Sequence, residues 1–107
     1  MHLFMLYRIR PGKSMDQYRK YSREVDQKIW REEILGKIPG IKSFKVYEVK
    51  GGNPKPPYDI IEDLEVDNLE AWERFQKSSV TEKTGPPWRE ISDEASMYLA
   101  YAEQIPP

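Results

Sequence analysis

The chain predicts an α+β fold, a four-stranded antiparallel sheet with two helices on one face. Three observations point there. Four stretches have strand-like patterning, at 2–10, 41–50, 57–66 and 95–103. Two intervening stretches place apolar residues at helical spacing. The resulting order is β-α-β-β-α-β, the split βαβ arrangement. The length of 107 residues suits a single domain, 1–107, with one modest core.

The first strand, HLFMLYRIR, carries Leu3, Met5, Tyr7 and Ile9 on one side and Phe4 and Leu6 on the other. Apolar residues on both sides indicate a central strand. Pro11-Gly12 ends it. Ser14 and Gln17 have capping-box spacing and open a helix whose inner stripe reads Met15, Tyr18, Tyr21, Val25, Ile29. Trp30, Ile34 and Leu35 continue an apolar surface that drifts around the axis, and Gly36 stops it. In IKSFKVYEVK, Ile41, Ser43, Lys45, Tyr47 and Val49 share one side and Phe44 and Val46 the other, so an edge position is expected. GGNPKPP is a loop. The third strand is PYDIIEDLEV, with Ile60, Glu62, Leu64 and Val66 toward the helices. Asp67 or Asn68 caps the next helix, and Asp67 with Glu70 fits a second capping box. Leu69, Trp72 and Phe75 form its stripe, TGPP (84–87) breaks it, and WREIS adds a turn. ASMYLAYAE is the last strand. The whole reads as a ferredoxin-like fold. Its second sheet face carries enough aromatic residues to favour a homodimer packed sheet against sheet.

Composition narrows the chemistry. With no cysteine, thiol catalysis, disulfides and zinc–thiolate sites are excluded. His2 is the single histidine, so a multi-histidine metal site cannot be built within one chain. Seventeen basic residues against eighteen acidic ones give a net charge of −1 and no reason to expect nucleic acid or an anionic membrane as partner. No segment reads as a signal peptide or a membrane span, so a cytoplasmic location is expected, with no metal and no cofactor.

A family resemblance rests on several segments: RPG closing the first strand, REVD at 23–26, IPGIKSFKVYEV, PYDIIEDLEVDNLEAWERF and the terminal EQIP. Together they resemble the dimeric α/β-barrel superfamily and, within it, the REDY-like HapK family. The resemblance spans roughly residues 3 to 106. It implies bacterial secondary metabolism, in pathways to prodigiosin-type pyrrole pigments and related aromatic alkaloids, and a homodimer with a pocket between sheet and helices. It supplies no defined set of catalytic residues. The related EthD-like branch carries a histidine on its first helix. The local equivalent here, EVDQK (24–28), has none, and Asp26 stands near that place.

Five acids crowd the third strand and its end: Asp59, Glu62, Asp63, Glu65 and Asp67. Alternation puts Glu62 on the buried side, where a carboxylate must be paired, hydrogen-bonded or protonated. Tyr18, Tyr21, Arg8 and Lys45 are its candidate partners. Glu62, Asp26 and Asp59 are the candidate acid–base groups, against a structural reading of each as a hydrogen-bonded or paired carboxylate. Asp63 and Glu65 read as solvated or paired. Tyr18, Tyr21, Tyr47 and Tyr98, with Trp30, Trp72 and Trp88, are candidates for lining an aromatic pocket, although Trp72 and Phe75 read foremost as core. The expected function is cofactor-free assistance of a condensation, cyclisation or proton transfer on a small pyrrole- or indole-type molecule. A binding protein that shields such an intermediate, and a cofactor-free monooxygenase, are the alternatives.

Overall fold

A computed structural model describes residues 1–107. Four strands, β1 (His2–Ile9), β2 (Ile41–Glu48), β3 (Ile60–Val66) and β4 (Ser92–Ala102), form one sheet in the order β2-β3-β1-β4, every neighbour antiparallel. β1 is central and β2 is an edge, as the patterning predicts, and β3 is the second central strand. No helix is long and apolar enough to cross a membrane.

The first helix opens at Ser14. Its Oγ accepts from the Gln17 N–H at 3.1 Å, and the Gln17 Oε1 accepts from the Ser14 N–H at 2.8 Å, the expected capping box. The helix runs as α-helix over Met15–Tyr21 and Gln27–Ile29, interleaved with π-helical turns at Ser22–Asp26 and Trp30–Ile34. These turns change its inner face. Tyr18, Ser22, Asp26, Trp30 and Ile34 are all buried, one residue in every four, whereas Val25 is 37% exposed. An α-helix turns about 100° per residue, so a four-residue repeat drifts about 40° at each step. The looser i→i+5 turns take up that drift. The stripe expected through Val25 therefore yields to one through Ser22 and Asp26. Gly36 adopts φ 79° just past the helix and lets the chain reverse.

Three further readings are corrected. Asn68, not Asp67, caps the second helix (Leu69–Gln76), accepting from the Ala71 N–H at 2.9 Å. Asp67 instead pairs with Lys42 at 3.4 Å. TGPP does not break a helix. It lies inside a third helix, Thr81–Ile91, and the break falls earlier, at 77–80. Pro86 and Pro87 delete N–H groups that would pair with the carbonyls of Glu82 and Lys83, both exposed to water, so the loss is tolerated. Finally, a bulge between Ile41 and Ser43 shifts the alternation of β2 and buries Ile41 alongside Phe44 and Val46.

The helix-facing side of the sheet holds two separate apolar clusters. One joins Leu3, Leu64 and Val66 to Trp30, Ile34, Trp72 and Phe75. The other joins Tyr7 and Ile60 to Tyr18 and Ile91. Ile60 and Leu64 belong to different clusters, and Glu62 lies between them on β3. The opposite side carries an apolar row straight across the strands, Tyr47–Ile61–Leu6–Tyr98.

Candidate functional site

The gap between the two clusters is a half-open pocket of about 170 Å³. Its apolar wall is formed by Met5, Trp30, Trp72, Phe75, Trp88 and Met97, and its acidic groups are Asp26 and Glu62. Trp30 is fixed by stacking on Phe44, with ring centroids 4.0 Å apart and planes 7° apart. Trp72 stacks on Phe75 at 5.7 Å. Trp88 meets Tyr7 edge-on at 5.2 Å. Thr84 and Gly85, from the segment expected to be a break, complete the rim.

Glu62 arrives by strand alternation between buried Ile60 and Leu64, and is itself 6% exposed. The Tyr7 hydroxyl donates to its Oε2. Tyr7 Oη in turn lies 2.5 Å from Tyr18 Oη, in a buried hydroxyl pair. Burial first, and then the negative charge of Asp26, push the Glu62 carboxyl up to about 8, and the Tyr7 hydrogen bond offsets only part of this. Asp26 is carried inward by the π-helical turn. Burial pushes it up to about 6, while Trp30 and Tyr21 draw it partly back. The Tyr21 hydroxyl is buried without a hydrogen-bond partner, so its pull on Asp26 is that of a nearby dipole. Burial and the neighbouring carboxylates raise the pKa of Tyr7, Tyr18 and Tyr21, and all three stay protonated.

The structure thus brings together Glu62, Asp26 and Trp30 at the pocket, with Tyr18 and Tyr21 behind them. The other candidates lie elsewhere. The Asp59 carboxylate accepts the Ile9 N–H at 2.9 Å, and its backbone continues the pairing beyond β3 through Tyr7 and Val49, a structural position outside the pocket. Tyr47 and Tyr98 are 49% and 57% exposed on the far side of the sheet, in the apolar row. Arg8 and Lys45, considered as partners for Glu62, also point away. Arg8 faces Asp93 at 3.5 Å, and Lys45 is exposed. Asp63 is paired with His2 at 2.7 Å, and Glu65 is hydrogen-bonded by Ser43 at 3.4 Å. No cluster of three or more His, Cys, Asp or Glu side chains is placed to hold a metal ion.

Sequence reasoning missed Tyr7 at the site; it offered Trp88 and Trp72 for the pocket wall but placed Trp72, with Phe75, foremost in the core, whereas all three line the pocket. For Tyr7 a signal existed: a hydroxyl on the buried side of a central strand needs a polar partner, and Glu62 is the acid on the buried side of β3.

Comparisons with known proteins bear on the fold and the family. Three solved structures resemble the chain throughout. An EthD-family protein from Bacillus halodurans aligns with a TM-score of 0.71 and 15% identity, covering 97% of each chain. HapK from Hahella chejuensis aligns with a TM-score of 0.69 and 12% identity, covering 100% of this chain and 97% of that one. A dimeric protein of unknown function with a ferredoxin-like fold, from Bacteroides fragilis, aligns with a TM-score of 0.63 and 14% identity, covering 92% and 90%. At these identities the likeness shows the fold alone. No curated protein sequence matches the chain. The family described as REDY-like protein HapK matches residues 1–103, nearly the full length, and the chain belongs to that family.

Proposed function

We propose that this protein performs acid–base chemistry, without a cofactor, on a small planar aromatic molecule of the pyrrole or indole type, in the pocket that holds Glu62 and Asp26. The observation that carries this reading is the pair itself: two buried carboxyls in one aromatic pocket, whose environments separate their pKa values. Such separation assigns roles. Near neutral pH Asp26 is ionised and accepts the N–H of the ring, while Glu62 keeps its proton and delivers it to a ring carbon or an imine nitrogen. The three tryptophans supply aromatic surface for the ring, and a ring that fills the pocket displaces water from it. Family membership supports a place in bacterial secondary metabolism, in a prodigiosin-type or related aromatic pathway, with a condensation, cyclisation or proton transfer as the step assisted. The apolar row on the open sheet face, together with the dimeric Bacteroides protein of the same fold, supports a homodimer.

The test uses 2-methylindole in deuterated water. Protonation at its C3 and return of a proton exchanges that hydrogen for deuterium, which NMR of the small molecule follows. The protein is expected to accelerate the exchange, and Glu62→Gln to abolish the acceleration. Binding without any acceleration would instead favour the carrier reading, in which the pocket shields an intermediate and does no chemistry. That reading draws its own support from the pocket wall, which is mostly aromatic and thioether.

A further inference from the structure

A second cleft, of about 140 Å³, lies on the other side of the tyrosine pair. The first helix and strands β2 and β3 form it, and its wall includes Met15, Tyr18, Ser22, Arg23 and Glu48. It shares no lining residue with the carboxylate pocket. Yet a chain of hydrogen bonds joins a residue of one wall to a residue of the other. Glu62 lines the carboxylate pocket, its Oε2 takes the Tyr7 hydroxyl, Tyr7 Oη lies 2.5 Å from Tyr18 Oη, and Tyr18 lines the second cleft. Tyr7 belongs to neither wall and is fully buried. Two tyrosine hydroxyls facing each other in an apolar cluster need be no more than mutual satisfaction of buried polar groups. A chain that starts at an acid in one cleft and ends in the wall of another has the form of a conduit.

We infer that Tyr7 and Tyr18 are a proton path that recharges Glu62 from the second cleft while an aromatic ligand fills the first. The inference rests on the acid–base reading of Glu62. Glu62 is only 6% exposed, and an aromatic ring that fills the half-open pocket covers its remaining access to water on that side. After Glu62 gives its proton to the ligand, the Tyr7 proton passes to Glu62 Oε2, the Tyr18 proton passes to Tyr7 Oη, and Tyr18 takes a proton from water in the second cleft, leaving a hydroxide that bulk solvent neutralises. Rotation of the Glu62 carboxyl, which turns its new proton toward the ligand, and of the two hydroxyls restores the starting arrangement. One proton enters for each one delivered, and no other bond forms or breaks. Because neither tyrosine readily ionises in this interior, the protons move in concert and no tyrosinate is formed. Tyr7 and Tyr18 are therefore positioning and relay groups that do not touch the ligand.

The path can be tested by NMR saturation transfer between water and the proton of the Tyr7–Glu62 hydrogen bond, with and without saturating 2-methylindole, its occupancy followed by tryptophan fluorescence. In the wild-type protein the exchange is expected to persist when the pocket is filled. Tyr18→Phe cuts the path but keeps the Tyr7–Glu62 bond. It should exchange normally when empty and slow by roughly tenfold or more when filled. Met15→Trp, which plugs the second cleft without removing a hydroxyl, should slow the filled state as well and stands in if Tyr18→Phe does not fold. Tyr47→Phe, on the far side of the sheet and outside the chain, should change little. Equal exchange in filled wild-type and filled Tyr18→Phe or Met15→Trp protein overturns the path alone and leaves the acid reading standing. A Glu62 that is ionised at neutral pH, or 2-methylindole that fails to bind, overturns both.

Discussion

Glu62 and Asp26 share one apolar pocket; burial raises Asp26 to about 6, and burial together with the Asp26 charge raises Glu62 further, to about 8. The 2-methylindole exchange rate is therefore expected to follow a bell. It rises through about 6 as Asp26 ionises and falls through about 8 as Glu62 loses its proton. Glu62→Gln should cost roughly 10²-fold or more at the optimum. Two other variants move the alkaline limb in opposite directions. The Asp26 charge raises the Glu62 pKa, so the residual activity of Asp26→Asn should fall off at lower pH. The Tyr7 hydrogen bond lowers it, so Tyr7→Phe should carry the limb to higher pH. Rate–pH profiles of the three proteins check both signs. The sequence shows Glu62 clearly, because period-two alternation places it between Ile60 and Leu64. Its partner is hidden, because alternation says which side a residue faces and nothing about which atoms meet across the strands. Tyr7 reads as one more apolar position.

At the scale of elements, the first helix decides the site. A uniform 3.6-residue period leaves Asp26 beside the inner stripe, free to face either way, and only the two π-helical turns settle it inward. Such turns have no local sequence signature as plain as a cap, which explains why Val25 and not Ser22 reads as buried. Caps are easier to read. Ser14 with Gln17 is both predicted and observed. For the second helix, two adjacent capping residues compete, and the choice depends on tertiary contacts. Asp67 is held by Lys42 and by its own N–H to the Gly40 carbonyl at 2.8 Å, which leaves Asn68 the cap. Asn68→Ala is expected to lower stability by about 1 kcal/mol, read by thermal denaturation, and Asp67→Ala by less. Tyr47 and Tyr98 show the limit of aromatic content as a guide. Both are strand residues of the right type for a pocket, but the register sets them on the face away from it.

For the whole molecule, the two raised carboxyls make stability depend on pH. Between the ordinary carboxylate range and about 8 the folded protein binds more protons at these sites than the unfolded chain does, so the slope of unfolding free energy with pH is negative. Stability from these groups is greatest in acid near the ordinary carboxylate pKa and declines as pH rises toward about 8, by an amount on the order of a few kcal/mol. Glu48, held down to about 2 by Arg19 and Lys50, acts in the opposite sense and only on the acid side of that window. The midpoint of urea unfolding should therefore drop from pH 5 to pH 8 in the wild type, and Glu62→Gln should flatten the drop. The sheet also has a consequence for how two subunits share work. The carboxylate pocket lies on the helix side of the sheet, and the row Tyr47–Ile61–Leu6–Tyr98 on the other. In a dimer joined through that row, each sheet stands as a wall between its own pocket and the neighbouring subunit. Occupancy of one site then has no packed contact through which to alter the other, so calorimetry should find two equivalent sites per dimer and a Hill coefficient of about one.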